Sequence, residues 1–204
     1  HTFTLFSRQN STENGILGDR NSICKKLTNL RGNMDKIVLA SGNHGKLAEI
    51  KQILANCQLE VVAQSEFAIS EAEETGLTFV ENAILKARHA CQHTGLPALA
   101  DDSGLVVEDL QGQPGIYSAR YAGENASDQD NIDKLLTELS KIKQPTRDAR
   151  FHCVLVLLRH EKDPSPIICH GSWQGKILEK PQGEKGFGYD PIFYLPALQC
   201  TAAE

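Results

Sequence analysis

The stretch ALADDSGLVV sets two carboxylates, Asp101 and Asp102, directly after an apolar run and before Ser103 and Gly104. Adjacent carboxylates at a strand end repel unless a cation or another partner compensates them. A hard divalent ion such as Mg²⁺ takes oxygen ligands and usually bridges them to substrate phosphates. The acidic stretch SEAEETG, with Glu71, Glu73 and Glu74, offers a further carboxylate. An Asx-turn, in which one aspartate bonds its own backbone, is the competing reading. The metal reading is preferred because a phosphate-binding pattern lies upstream.

That pattern is LASGNHGKLAEI. Ser41, Gly42, Asn43, His44, Gly45 and Lys46 follow the apolar run 37–40 and lead into the helical spacing of Leu47, Ile50, Ile53 and Leu54. Strand, glycine loop with a lysine, then helix is the layout of a phosphate cradle. Glycines let backbone N–H groups approach oxygen, a helix N-terminus favours an anion, and Lys46 adds a point charge. The motif is not a Walker A loop, because Gly42 and Gly45 are too close and Leu47 follows the lysine. An ordinary βα turn capped by Asn43 would use the same residues. A third element, GEKGFGYDPIF, surrounds Phe187 and Tyr189 with glycines. Such aromatics stack on a nucleobase or plug the core. His89 and His93 have zinc-like spacing but no third ligand, and belong on a solvated helix face. Trp173, within a strand, reads as core.

These residues need elements to hold them. Residues 36–40 and 59–63 read as strands around a helix at 46–55. Thr78-x-x-Glu81 is a capping box for a helix with Val80, Ala83, Ile84, Ala87 and Cys91 on one face, ended by Gly95 and Pro97. Residues 98–101 and 105–110 read as strands on either side of DDSG. Ser127 caps a helix through Ile142. Residues 150–159 and 167–174 pair as a hairpin around EKDPSP. Helices alternating with strands early and a hairpin late imply an α/β or α+β fold with a mixed sheet and flanking helices.

Composition narrows the function classes. At 204 residues and 40% hydrophobic, the chain fits one globular domain or a domain with a tail. No apolar run has the length of a membrane span, so no membrane role is expected. The six cysteines are scattered without a C-x-x-C pair, which reads as reduced thiols in a cytoplasmic protein. The only methionine, Met34, directly precedes the first strand, so residues 1–33 are expected to be an upstream or vector-encoded extension. They carry a net charge of +3 against −5 for the whole chain, leaving −8 over 34–204. A domain that acidic is unsuited to general nucleic-acid binding.

Together LASGNHGKLAEI, EETGLTFVENAILKARHA, ADDSGLVVEDLQGQPGIYSARYAG, RFHCVLVLLRH, CHGSW and GFGYDPIF resemble the non-canonical purine nucleoside triphosphate pyrophosphatases, the dITP/XTP pyrophosphatase or inosine triphosphatase family. The resemblance covers essentially all of 34–204, in order. It implies an ITPase-like (Maf/Ham1-like) fold with two lobes around a cleft, commonly as a homodimer. It implies Mg²⁺-dependent hydrolysis of ITP, dITP and XTP to the monophosphate and pyrophosphate, which cleanses the nucleotide pool. By motif, Ser41 to Lys46 bind the triphosphate, and Glu74 and Asp102 hold the metal. Asp102 is the catalytic base and Ser103 contacts substrate. Phe187, Gly188, Tyr189 and Asp190 line the base pocket. Family members continue past GYDPIFY through a further helix with a lysine and a Ser-His-Arg motif. This chain stops at Glu204, so those contacts are expected to be missing from it. A pyrophosphatase for another base, such as a modified pyrimidine, and a non-catalytic nucleotide binder are the alternatives.

Overall fold

A computed structural model of the chain describes residues 35–41, 44–55 and 59–204. The expected extension at 1–33 lies outside them. Strand β1 (Lys36–Leu39) is the KIVL run, with Ile37, Val38 and Leu39 each at most 1% exposed. A strand buried on both faces needs apolar residues at every position, which is why the run does not alternate. On one side β1 pairs in parallel with β2 (Glu60–Ala63), Val38 opposite Val62. On the other it pairs in parallel with β3 (Ala98–Val107), Leu39 opposite Leu99. Strands β4 (Asp148–Leu158), β5 (Ile167–Ile177), β6 (Phe193–Leu195) and β7 (Cys200–Thr201) complete a seven-stranded sheet of order β2-β1-β3-β4-β5-β6-β7. The β5–β6 and β6–β7 pairs are antiparallel, so the sheet is mixed, as expected.

Among the described residues, three α-helices accompany the strands: α1 (His44–Leu54), α2 (Phe79–Thr94) and α3 (Asp128–Ser140). The Glu81 N–H donates to Thr78 Oγ1 at the start of α2, and Leu77 N–H donates to the Glu81 carboxylate. Gly95, at φ +69°, ends the helix with its N–H on Cys91 O. That left-handed position is easy for glycine and costly for residues with a Cβ. Ser127 and Asp130 form a reciprocal capping box on α3.

The chain divides into two compact units. In the first, which includes Cys153–Gly171, two apolar clusters sort by sheet face. Val38, Ala40, Ala98, Ala100, Val154 and Val156 pack with Ala83, Ala87 and Ala90 of α2. Ile37, Leu39, Val61 and Leu157 pack with Ile50 and Leu54 of α1. Small alanines on α2 let that helix approach the sheet closely. In the second unit, Ser103–His152 with Ser172–Glu204, the Phe193 ring lies 4.5 Å from that of Phe151 and 5.6 Å from that of Trp173. Trp173 is buried, as a core residue should be.

The largest departure from the sequence-based expectation is in β3. DDSG does not interrupt the strand: β3 runs unbroken from Ala98 to Val107, and Glu108–Leu110 forms a 3-10 turn instead of its continuation. The cause is the compensation of the two aspartates by lysines. Helix α1 also begins at His44, two residues before the expected start.

Candidate functional site

Side chains alternate across a strand. On β3, Ala98 and Ala100 belong to the α2-side cluster, whereas Leu99 packs on the α1 side. Continuing that alternation points Asp101 toward α1 and Asp102 toward α2. Each helix supplies a lysine to the carboxylate on its own face. Lys46 Nζ of α1 lies 2.5 Å from Asp101 Oδ2. Lys86 Nζ of α2 lies 2.9 Å from Asp102 Oδ1 and donates to the Asp101 carbonyl at 3.2 Å. The adjacent aspartates therefore point apart and have separate counter-charges, which lets a buried strand carry both.

The acidic segment meets the same lysine. Glu74 Oε1 is 2.7 Å from Lys86 Nζ, so Glu74 and Asp102 share one ammonium. Burial is the largest influence on Asp102 and lifts its carboxyl above the usual range, against the opposing pull of Lys86. Burial alone would lower Lys86, but the charges of Asp102 and Glu74 outweigh it and raise its pKa, keeping it an ammonium. Ser41, Lys46, Glu71, Glu74, Lys86 and Asp101 line a cavity of ≈ 160 Å³ within the first unit. Burial keeps the nearby Cys153 thiol protonated and so poorly nucleophilic.

Gly42 and Asn43 lie outside the described residues, and His44 and Gly45 form the first turn of α1. Ser103 follows Asp102 on β3 and is half-buried. Among the described residues, no three His, Cys, Asp or Glu side chains converge to hold a metal. The residues suited to a hard cation are Glu74 and Asp102, whose oxygens already converge on one positive charge.

The GFGYD loop sorts differently. Tyr189 and Asp190 are 4% and 5% exposed, and Phe187 is 54% exposed. The Tyr189 hydroxyl donates to Ser118 O, and Asp190 Oδ2 accepts the Phe187 N–H at 3.0 Å. Asp128 at the start of α3 accepts the Gly188 N–H at 2.6 Å. The buried pair thus shapes the loop, while Phe187 is left outward. Among the described residues, His89 and His93 belong to no group of metal-ligating side chains, and His89 Nε2 donates to Ser70 O at 3.0 Å.

Lys86 escaped the sequence reading. Its signal was the pair Asn82 and Lys86, four residues apart and flanking the alanine stripe of α2. Polar residues so close to a buried stripe need interior partners.

Residues 37–204 match the Ham1 family. The dITP/XTP pyrophosphatase of Vibrio parahaemolyticus serotype O3:K6 is 63% identical over 171 residues, 84% of this chain and 86% of that protein. That of Yersinia pestis is also 63% identical over 171 residues, 84% of this chain and 87% of its own length. The structure of a HAM1 protein from Coxiella burnetii superposes with a TM-score of 0.82 at 54% identity, covering 84% of this chain and 87% of that one. A nucleoside-triphosphatase / dITP/XTP pyrophosphatase from Mycobacterium abscessus gives 0.71 at 40% identity, covering 83% and 86%. A match across nearly every described residue, joined to a common fold, means that the chain belongs to the Ham1 family.

Proposed function

We propose that this chain hydrolyses the non-canonical purine nucleoside triphosphates dITP, XTP and ITP to the monophosphate and pyrophosphate, with Mg²⁺ as cofactor. The observation that carries the reading is the cavity lined by Lys46, Lys86, Asp101 and Glu74, with the Asp102 carboxylate joined to it through its ion pair with Lys86. The names of the relatives supply the substrate class.

In this reading Lys46 and Lys86 bind phosphate oxygens, aided by Ser41 and the first N–H groups of α1. Glu74 and Asp102 hold the cation. A bound Mg²⁺ supplies neutralisation of phosphate charge. Asp102 accepts a proton from the attacking water. The new bond joins water oxygen to the α-phosphorus. The bond from that phosphorus to the bridging oxygen breaks, and pyrophosphate leaves with its electron pair. The lysines stabilise charge on the leaving group. Phe187 and Gly188 are assigned to the base.

The test is a nucleotide panel with and without Mg²⁺, reading pyrophosphate and orthophosphate separately. Pyrophosphate from dITP, XTP and ITP, with little from ATP or GTP, is the expected result. Stepwise orthophosphate release, or equal turnover of ATP, sinks the reading.

A further inference from the structure

Asn82 of α2 is a fully buried side chain whose two amide ends reach different parts of the site. Its Oδ1 accepts the Gly76 N–H at 2.8 Å, and its Nδ2 donates to Asp102 Oδ2 at 3.5 Å. The orientation is self-consistent. Turning the amide over would set its NH₂ against an N–H and its oxygen against a carboxylate. Gly76 lies two residues after Glu74 in a segment without regular structure. The backbone there is pressed onto the helix: a Cβ on Gly76 would lie 2.6 Å from Glu81 Cβ and 2.7 Å from Asn82 Oδ1. Contact this close needs the glycine and fixes where the segment crosses α2.

Two further residues on the same helix grip that segment. Lys86, one turn beyond Asn82, binds the Glu74 carboxylate, and His89, nearly one turn further, donates to Ser70 O. Residues spaced i, i+4 and i+7 share a helix face. That polar stripe holds the Ser70–Gly76 segment by its backbone at both ends and by the Glu74 side chain between them. Of the three, only Asn82 bonds both the segment's backbone and the Asp102 carboxylate with neutral groups.

We propose that Asn82 is a positioning residue that fixes the Glu74 segment and the Asp102 carboxylate relative to each other, so that both present oxygens to one cation. This rests on the reading of Glu74 and Asp102 as the Mg²⁺ ligands. Lys86 supplies charge at the same two carboxylates, and Asn82 supplies their geometry.

The experiment uses the full chain with Asn82→Ala and, separately, Gly76→Ala. The second variant leaves the Asn82 side chain present but pushes the segment away from it, since the new Cβ would meet Glu81 Cβ and Asn82 Oδ1, so it strains the same bridge from the segment's side. Three quantities are read: Mn²⁺ binding to the nucleotide-free protein by electron paramagnetic resonance, kcat and KM for dITP at saturating Mg²⁺, and the melting temperature. Asn82→Ala is expected to weaken Mn²⁺ binding and lower kcat by roughly 10- to 100-fold, as loss of an outer-shell partner typically does. KM for dITP should change less than about threefold, because the phosphate-binding lysines are untouched. Gly76→Ala should shift Mn²⁺ binding in the same direction. A folded Asn82→Ala protein with a lower melting temperature but wild-type Mn²⁺ binding and kcat overturns the proposal, since the role would then be packing alone. If Asn82→Ala does not fold, wild-type Mn²⁺ binding by folded Gly76→Ala overturns it instead. A wild type that releases pyrophosphate while both variants keep its Mn²⁺ affinity defeats this inference alone. A wild type whose Mn²⁺ affinity falls in both variants, yet which releases no pyrophosphate, upholds the positioning role and defeats the catalytic reading alone.

Discussion

Lys46 Nζ sits 2.5 Å from Asp101 Oδ2, and the Asp101 side chain is only 1% exposed while that of Lys46 is 27% exposed. The pair is lopsided: one partner is sealed in and the other reaches toward solvent. Removing the lysine leaves a buried carboxylate without this counter-charge, whereas removing the carboxylate's charge leaves a lysine that water can still reach.

Lys46→Met is therefore expected to destabilise the protein more than Asp101→Asn does. The loss for Lys46→Met should be roughly 3 kcal/mol, the low end for breaking a buried pair because the lysine is partly exposed. Urea unfolding of both variants measures it. On the phosphate reading, Lys46→Met also raises KM for dITP and lowers kcat, because that contact serves ground and transition states alike. Equal destabilisation by the two variants would show that Asp101 is compensated elsewhere. Unchanged kinetics would remove the phosphate role.

Asp102→Asn should lower kcat by roughly 10²–10⁴-fold, the usual contribution of a positioned proton acceptor. Nucleotide affinity should fall far less, because Lys46 and Lys86 remain. Steady-state kinetics and equilibrium binding of dITP separate the two quantities. Turnover close to wild type would move the proton acceptor to another group.

The sequence made the helices legible where capping chemistry was local. Thr78 with Glu81, Gly95, and Ser127 with Asp130 each mark an end through contacts within a few residues. The mixed sheet was legible because the apolar run at 37–40 and the paired runs at 150–159 and 167–174 have different connections. The course of β3 was not. DDSG carries turn-like residues, and only the arrival of Lys46 and Lys86, distant in sequence, lets both aspartates remain in a buried strand. Lys86 itself was hidden for the same reason: its partners Glu74 and Asp102 lie 12 and 16 residues away on other elements.

Asp163 gives the stability a pH dependence whose sign follows from its partners. Hydrogen bonds from the Arg159 guanidinium, then from backbone N–H groups of Arg159 and Ser165, hold its carboxyl well below the usual range despite burial. The folded state therefore binds a proton less readily than the unfolded chain. The stabilisation is present above the unfolded carboxylate pKa of about 3.9 and disappears as pH falls toward the lower folded value. The stability gap between wild type and Asp163→Asn should be constant from about pH 8 to 5 and narrow below about pH 4. Urea unfolding across that range reads it. A gap that stays constant to about pH 3 would show that the Arg159 contact does not depend on the carboxylate's charge.

Gly186→Ala tests whether the GFGYD loop and the phosphate cavity act on different parts of the substrate. Gly186 adopts φ +82°, and an added Cβ would meet Asp190 Cβ at 2.9 Å and crowd its carboxylate. The left-handed backbone alone costs a residue with a Cβ about 1–2 kcal/mol. Displacing Asp190 also endangers its bond from the Phe187 N–H, a hydrogen bond to a charged group of the kind that contributes about 1.5–3 kcal/mol. The exposed Phe187 ring would then lose its fixed position. On the proposed reading the variant raises KM for dITP, while the inhibition constant of inorganic pyrophosphate, which engages only the lysine-lined cavity, stays unchanged. Lys46→Met should weaken both. Steady-state kinetics with pyrophosphate as product inhibitor reads each constant. If Gly186→Ala lowered the melting temperature but left KM alone, the loop would have no part in base recognition. If it weakened pyrophosphate inhibition as much as dITP binding, base and phosphate recognition could not be divided between the loop and the cavity.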